Sequence, residues 1–520
     1  MTFQLQKFTV PRADGEVLAL PDFEGACAQV AANRRLAASW PAQVEGLEIG
    51  RLRTALRAVA LDMARQYTAS LGVSVPSGDV PLVVTGHQAE LFHPGVWIKN
   101  AWACRIARAL SGVSVNLVVD NDVARHTGLA VPRAGRAPER FSARIEEVLF
   151  AARMPFCATE EARADRAQVE LFARRVAQLV RGTSMEEPFA VFAGELLRSA
   201  HEGRGTVAEL VSAARRRMEE RFGFFNLELP VGRLSETDEF RSFAAFLIRR
   251  ADSFARGYNG ALAACRAARR IHNVANPLPD LVLQPGKIEL PLWAWKKGGP
   301  RRRLFAASDA LIVEEGEARI ECRNARDALR RLGEAGFKVR PRALLLTMFV
   351  RLFLADTFIH GVGGANYDRV TDVIIKDFLG IRPPEWVTLS ATLLLPLERP
   401  RVAASDRSRL LRKIRDLQYQ PEKLLSPDAA RAEPARTLVE AKKRLIGAPF
   451  SRGAQARERY HAFRDINRGL AALISVKPTH LDGELEMVNG LLAADKLLAS
   501  REFGFPLHRQ ESLKSIFGLE

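Results

Sequence analysis

The sequence predicts an α/β fold built on a parallel sheet, and three observations carry that reading. The apolar run Val80–Val84 stops abruptly at Thr85-Gly86-His87-Gln88, as a buried strand running into a polar turn does. From Pro94 and Gly95 onward, Val96, Trp97, Ile98, Ala101, Trp102, Ile106 and Leu110 recur at helical spacing. Proline just inside a helix start is tolerated there, because its missing N–H would have no partner anyway. A second apolar run, Val113–Val119, ends at Asp120-Asn121-Asp122. Strand, helix and strand in this length form a βαβ unit, and its right-handed crossover puts both polar turns at the carboxyl edge of one sheet. Open α/β sheets bind their ligands at that edge, so a pocket is expected to start here.

Composition sets the outer limits. A chain of 520 residues with 47% hydrophobic content can bury a large core and hold an α/β domain with insertions. The formal net charge of +17 raises nucleic acid as a partner. Arginine, however, is spread through every predicted helix, so nucleic acid ranks below an anionic small-molecule substrate. The five cysteines, Cys27, Cys104, Cys157, Cys265 and Cys322, lie far apart without a CxxC pair, which points to reduced thiols in a cytoplasmic protein. No membrane partner is expected: the N-terminus lacks a signal-peptide core, and the longest apolar stretch, Ala343–Ile359, is interrupted by Arg351 and Asp356.

In chain order, residues 1–132 hold helices around Ala26–Ala38 and Leu52–Leu71, punctuation at Pro76, Ser77 and Gly78, and the βαβ unit, which is the first half of the core. Residues 133–235 begin as a basic loop (Arg133, Gly135, Arg136, Pro138, Arg140). They continue as a mostly helical insertion over Glu161–Arg181 and Phe189–Phe222, ending in a strand at Phe225–Leu229. Residues 236–398 form the second half of the core. A helical stretch, Thr237–Ile271, precedes β-rich sequence around Ile288–Trp295, and the basic hairpin tip Lys296–Arg303 reads either as a clamp for phosphate or carboxylate or as a solvated turn.

A helix over Leu344–Ile359 is expected next, then a glycine-rich turn, His360-Gly361-Val362-Gly363-Gly364-Ala365-Asn366-Tyr367-Asp368, and an amphipathic helix with Val370, Val373, Ile374 and Phe378. Glycine-rich turns feeding a helix present N–H groups to anions, but the Lys-Ser/Thr ending of a Walker loop is missing. Leu393–Pro396 reads as a strand. Residues 399–476 carry apolar steps at Leu410, Leu411, Ile414 and Leu417, then Leu438, Leu445 and Ile446 beyond a break at Ser426-Pro427, and finally Tyr460, Phe463, Ile466, Leu470 and Leu473. That pattern is an antiparallel coiled-coil hairpin, suited to a homodimer or docking contact. Residues 477–520 form a tail packed on the body.

This order of motifs resembles the cysteine-adding enzyme family of bacillithiol biosynthesis (BshC). That family carries a Thr-Gly-Gln-Gln strand–turn, an acidic Glu-Asp-His-Asp turn, a Gly-Gly-Pro-Gly-Glu loop after a buried helix, a Ser-Ala-Thr-like segment and a coiled coil. Here Thr85-Gly86-His87-Gln88, Asp120-Asn121-Asp122 with His126, Gly363-Gly364-Ala365-Asn366-Tyr367-Asp368 and Ser390-Ala391-Thr392 stand at those places. His87 replaces the family's first glutamine, His93 stands where the family has no histidine, and Asp368 is the acid nearest to the missing loop glutamate.

The resemblance implies a Rossmann-like core similar to class I nucleotidylyltransferases. It also implies a ligase that joins a carboxyl group to an amine, as cysteine is joined to glucosaminyl malate, with ATP or ADP as the candidate nucleotide. The candidate catalytic residues are His87, Asp120 and Asp122. The candidate substrate-binding residues are Thr85, Gly86, Gln88, His93, His126, Gly363, Gly364, Asn366 and Asp368. An imidazole near neutrality can donate to an oxyanion or move a proton, and a carboxylate at a strand end can orient an amine. No metal is assigned, since the spacing matches no helical HExxH pattern. Nucleotidyl transfer to another anionic substrate, and non-catalytic nucleic-acid binding, are the alternatives.

Overall fold

The computed structural model describes residues 8–71, 80–124, 126–137, 140–273, 276–321, 324–449, 452–475 and 478–519. Pro76, Ser77, Gly78, Pro138 and Cys322 lie outside the described residues. The chain divides into two compact units: Met1–Val131, Glu147–Leu395 and Arg501–Glu520 form one, and Pro132–Glu146 with Pro396–Ser500 form the other.

The first unit is organised on a six-stranded sheet of β1 (Val17–Leu20), β2 (Leu82–Gln88), β3 (Val113–Val119), β4 (Leu227–Pro230), β5 (Thr357–His360) and β6 (Val387–Ala391). Their order across the sheet is β1-β6-β5-β2-β3-β4. Five of them run parallel, and β1 closes the edge antiparallel to β6. Parallel strands covered on both faces need near-continuous apolar sequence, which Leu82-Val83-Val84 and the alternating Val113, Val115 and Leu117 provide. The five parallel strands lie in the order third, second, first, fourth, fifth, so the chain reverses direction across the sheet between β2 and β5. In doubly wound sheets such a reversal opens a crevice at the carboxyl ends of the two strands.

Six helices frame this sheet: α1 (Phe23–Ala38), α2 (Ile49–Ser70), α3 (Pro94–Ala109), α4 (Val207–Arg221), α5 (Ala343–Phe353) and α6 (Val362–Leu379). Asp22 caps α1 by accepting the Gly25 N–H, and Pro94 opens α3. α3 is buried nearly all round, and Gly95 makes that possible. A Cβ there would lie 2.1 Å from the Ala391 carbonyl oxygen and 2.5 Å from the Arg501 guanidinium.

α4 is anchored by charge. Glu219 accepts from the Trp97 Nε1 at 2.9 Å, Asn100 at 2.8 Å, Arg215 at 2.5 Å and Arg216 at 3.2 Å. Arg215 also reaches Glu228 of β4 at 2.7 Å. All four charged groups are buried, which is tolerable because each is paired and hydrogen-bonded.

Several expectations are corrected. Thr85–Gln88 is not a turn but the end of β2, paired out to Gln88 opposite Val119; its polar side chains suit a strand end that faces a cavity. The helix expected over Leu344–Ile359 stops at Phe353, and Thr357–His360 is β5. Asp356 makes the break. It takes Arg53 at 2.7 Å, Arg57 at 3.2 Å and the Leu82 N–H at 2.8 Å, while the two arginines also bind the buried carbonyls of Leu352, Ala355 and Leu354 at and just past the end of α5. β-branched Thr357 and Ile359 then pair with Val83 and Thr85. The glycine-rich stretch is therefore preceded by a strand, with Gly361 as N-cap and Val362–Asp368 already helical.

The basic stretch after Pro132 is a two-stranded sheet of Gly128–Ala137 and Arg140–Leu149. The strand expected at Leu393–Pro396 lies instead at β6. The β-rich sequence around Ile288–Trp295 becomes a second, antiparallel sheet of Lys287–Lys296, Arg302–Ala306, Ala310–Val313, Ala318–Glu321 and Phe337–Pro341, with the short Leu283–Gln284 beside Lys287–Lys296.

Besides the outer part of that two-stranded sheet, the second unit holds the helices Ala404–Tyr419, Pro427–Arg431, Glu433–Gly447, Ala454–Ala472 and Pro478–Leu498. Leu410, Leu417 and Leu481 make its buried core, against which Ile414, Leu485 and Val488 pack. Where a two-helix hairpin is expected over residues 399–476, the described residues hold three longer helices, Ala404–Tyr419, Glu433–Gly447 and Ala454–Ala472. The hairpin of Glu433–Gly447 and Ala454–Ala472 is one pair, and Ala404–Tyr419 packs against Pro478–Leu498 as well. Of the tail expected over 477–520, Pro478–Leu498 belongs to the second unit and residues 501–520 to the first. No described helix is long and apolar enough to cross a membrane.

Candidate functional site

The crevice between β2 and β5 is a cavity of about 640 Å³. Its walls come from the strand ends and the residues that follow them: Gly86, His87 and Gln88 on β2, Asn121 and Asp122 after β3, and His360 to Gly364 after β5. Arg501, far along the chain, closes one side.

Four cations line this cavity, Lys99, Arg301, Arg342 and Arg501, against two carboxylates, Asp122 and Glu502. Lys99 stands in the second turn of α3, only 4% exposed. Its Nζ donates to the Gly86 carbonyl at 2.8 Å, and no carboxylate pairs with it among the described residues. Burial alone pushes its pKa down from the usual value to about 7. Arg301 stacks over Trp293 and bonds the Asn121 carbonyl and Asp122 Oδ1, both at 3.0 Å. Of the basic hairpin tip, Arg301 lines the cavity, whereas Arg302 and Arg303 pair with Glu317 and Glu314. Arg342 also lies over the Trp293 ring, 4.0 Å from its centroid, and contacts Glu289. Arg501 donates to Ser390 Oγ at 3.0 Å and Thr392 Oγ1 at 3.2 Å.

Burial disfavours the charged form of the three histidines that line the cavity, His87, His93 and His360. Burial, with Lys99 nearby, lowers His87 to about 3, and burial with Arg501 lowers His93 to about 3. His87 Nδ1 lies 3.3 Å from its neighbour's carbonyl, which assigns the proton to Nδ1 and leaves Nε2 bare. His93 is the N-cap of α3, its Nδ1 accepting the Gly95 N–H at 3.1 Å. His360 Nε2 lies 2.9 Å from Asp368 Oδ2. Burial works against ionising Asp368, but Arg351 at 2.7 Å and His360 hold its carboxyl well below the usual range. The carboxylate therefore accepts from Nε2–H and leaves His360 Nδ1 as the bare acceptor. Gly364 packs directly on that nitrogen: a Cβ would sit 2.8 Å from it. No side chain caps α6, so the first N–H groups of this helix are available to an anion.

The structure brings Gly86, His87, Gln88, His93, Asp122, Gly363 and Gly364 together around one cavity. Gln88 and Asp122 touch, Nε2 to Oδ2 at 3.1 Å. Five expected site residues do not reach it. Thr85 is fully buried and bridges the sheet by donating to the Ile359 carbonyl at 3.1 Å. Asp120 faces away, accepting the Gly232 N–H at 2.8 Å, and burial together with Glu160 raises it to about 7. His126 is exposed outside the cavity. Asn366 pins the chain at Phe8 through a reciprocal pair of bonds, at 3.1 and 3.0 Å. Asp368 is fully buried behind His360, whose Nε2 it meets at 2.9 Å.

Lys99, Asn121, His360, Ser390 and Arg501 complete the site. Lys99 and Asn100 did leave a signal, two polar residues inside the apolar run Val96–Cys104, where a helix buried all round has no solvent face for them. Arg501 left none, because it meets His93 across a separation of 408 residues. No group of three His, Cys, Asp or Glu forms a metal site among the described residues. No protein-family model matches the sequence, and no curated protein matches it. A larger cleft of about 760 Å³ lies between the helices Asp238–Arg249 and Ala325–Glu334. Its charges are largely spent on one another, as in Arg340 with Glu236 at 2.9 Å and Arg330 with Asp327 at 2.6 Å, so the crevice is the stronger site.

Proposed function

We propose that this chain is an enzyme that joins a carboxyl group to an amine, with an anionic small molecule held at the carboxyl edge of β2 and β5. Lys99 carries the reading. A lysine buried in an apolar helix without a carboxylate partner costs stability, and a bound anion is what would repay it.

The chemistry of such a condensation needs three things, and the cavity has a residue for each. A carboxyl activated by the nucleotide as an acyl phosphate or acyl adenylate becomes tetrahedral when the amine attacks, its oxygen gains negative charge, and the amide forms as the C–O bond to phosphate or AMP breaks. Lys99 and the uncapped N–H groups of α6 are donors suited to that charge. The amine must lose a proton, which His360 Nδ1 can accept while Asp368 holds the ring in the right tautomer. Asp122, fixed by Gln88 and Arg301, suits an ammonium or amine of the incoming substrate.

The partial likeness of four motifs to the bacillithiol cysteine-adding family supports cysteine as the carboxyl donor and glucosaminyl malate, whose malate is anionic, as the amine. The strand order supports a Rossmann-like core related to class I nucleotidylyltransferases. Two helices starting at the crevice, α3 behind His93 and α6 behind Gly361, favour nucleotidyl transfer as a second reading, with ATP or ADP phosphates at those helix starts.

The test is a thermal-shift series on the native protein and Lys99→Met with ATP, ADP, cysteine and glucosaminyl malate. A ligand at a hundred times its Kd stabilises by about 2.7 kcal/mol. Stabilisation by cysteine or glucosaminyl malate that disappears in the variant supports the ligase. A nucleotide acting alone moves the assignment to the second reading. Silence from all four, in a protein that folds cooperatively, refutes both.

A further inference from the structure

The net charge is not evenly spread. Residues 401–475 hold 17 Lys and Arg against 8 Asp and Glu, so +9 of the chain's +17 lies on these 75 positions. In the second unit this charge takes a defined form on the helix Ala454–Ala472. Its inner face is Ala456, Phe463, Ile466 and Leu470, and Gly469 packs on Leu438 of the neighbouring helix. Arg459 fixes the hairpin by donating to the carbonyls of Leu445 at 2.5 Å and Pro449 at 2.9 Å.

The opposite face carries Arg457, His461, Arg464 and Arg468, stepped by four, three and four residues and all exposed. They span about 16 Å of helix at 1.5 Å per residue. Tyr460 stands beside them, 64% exposed. Two acids share the helix, Glu458 and Asp465. Asp465 meets Arg468 at 3.5 Å, an exposed pair that is weak and breaks readily. The helix Ala404–Tyr419 repeats the pattern, with Arg412 and Arg415 exposed and Tyr419 57% exposed at its end.

We propose that this helical unit binds single-stranded nucleic acid along the Arg457–Arg468 stripe, with the exposed tyrosines as stacking platforms. The chemistry fits on two independent counts. Cations repeated along a helix neutralise successive phosphates, and arginine does so with a planar donor fork. A large ring that spends most of its surface in water, flanked by cations, offers the flat apolar face that any unpaired base can cover. A plain solvating face would need the arginines but not the ring. This activity goes beyond the condensation proposed for the crevice and does not depend on it.

The experiment uses the full chain and fluorescein-labelled oligo(U) and oligo(dT) of about twenty nucleotides, read by anisotropy across a salt series. Binding is expected to fall with salt, and in R457E/R464E/R468E the slope of log K against log salt should flatten by about two, the share of three phosphate contacts on a single strand. Tyr460→Ala should weaken oligonucleotide binding by on the order of tenfold, the effect of one lost stack, while leaving inorganic polyphosphate binding unchanged. Melting temperatures equal to that of the native protein check that both variants fold. The proposal fails if the native chain does not bind, if the triple variant binds as well as native, or if Tyr460→Ala changes nothing. Equal affinity for vesicles rich in anionic lipid would also overturn it, in favour of a membrane surface.

Discussion

Replacing Lys99 by methionine should make the protein more stable at neutral pH, and the size of the gain can be worked from the site. The side chain is 4% exposed and its pKa falls from 10.5 to about 7 by burial. A group that holds its proton less tightly when folded destabilises the fold wherever the unfolded chain is protonated. Stability therefore rises with pH between about 7 and 10.5, the window in which only the unfolded chain keeps the proton. At pH 7 the cost is about 4 kcal/mol, and at pH 9 about 2 kcal/mol.

Methionine keeps the length and volume but carries no charge, so it removes this cost and gives up only the bond to Gly86, about 1 kcal/mol. Urea unfolding followed by circular dichroism should thus place Lys99→Met above the native protein by about 3 kcal/mol at pH 7 and by about 1 kcal/mol at pH 9. A variant that is less stable at pH 7, or a difference that does not shrink with pH, would refute the reasoning. The lysine would then have a partner, and the case for an anion in the crevice would go with it.

The other predictions follow from the same geometry. Gly95→Ala should cost about 1–3 kcal/mol or more, since its Cβ meets backbone and cannot be accommodated without moving α3 from β6; denaturant midpoints will show it. Asp368→Ala should lower stability by about 3 kcal/mol by taking from the buried Arg351 one of its two carboxylate partners, Asp372 being the other, with the loss visible as a lower melting temperature. Gly364→Ala should spare most of the stability while abolishing ligand-induced thermal shifts, because the added methyl pushes on His360. Anion affinity measured by calorimetry should fall as pH rises through about 7, when Lys99 loses its proton, and should show no histidine step between pH 5 and 7, because His87 stays neutral there.

What could be read from the sequence was local. The βαβ unit from Leu82 to Val119 announces itself because strand, helix and strand follow one another and each has a clear period or apolar run. The same locality explains the failures. Leu344–Ile359 looks like one helix because a short buried strand and a buried helix are both apolar; what separates them is Asp356, whose arginine partners on α2 lie about three hundred residues away. Asp120 and Asp122 are indistinguishable as letters. Both lie past Val119, the last residue of β3, where the two-residue period of a strand would have put them on one face; the turn instead sends Asp120 toward Gly232 and Asp122 toward Gln88, and only one of them can serve the cavity. The strands Gly128–Ala137 and Arg140–Leu149 pass for a loop because Pro132, Arg133, Gly135 and Arg136 break the apolar pattern of the first, which hides the alternation of Phe141, Ala143 and Ile145 in the second. Arg501 is a contact that no local pattern could contain.

That late contact bears on how the protein is made. Trp97 is enclosed by Phe505 at 4.4 Å and Phe517 at 5.4 Å between ring centroids, and Arg501 leans on His93. At ribosomal speeds of about 5–20 residues per second, the partners of α3 emerge roughly 20–80 seconds after α3 itself. During that interval α3, a helix buried nearly all round in the finished fold, lacks its cover on this side. A nascent chain of this sequence should be a client of holding chaperones, and release of an unfinished chain should yield an aggregation-prone species lacking one wall of its crevice.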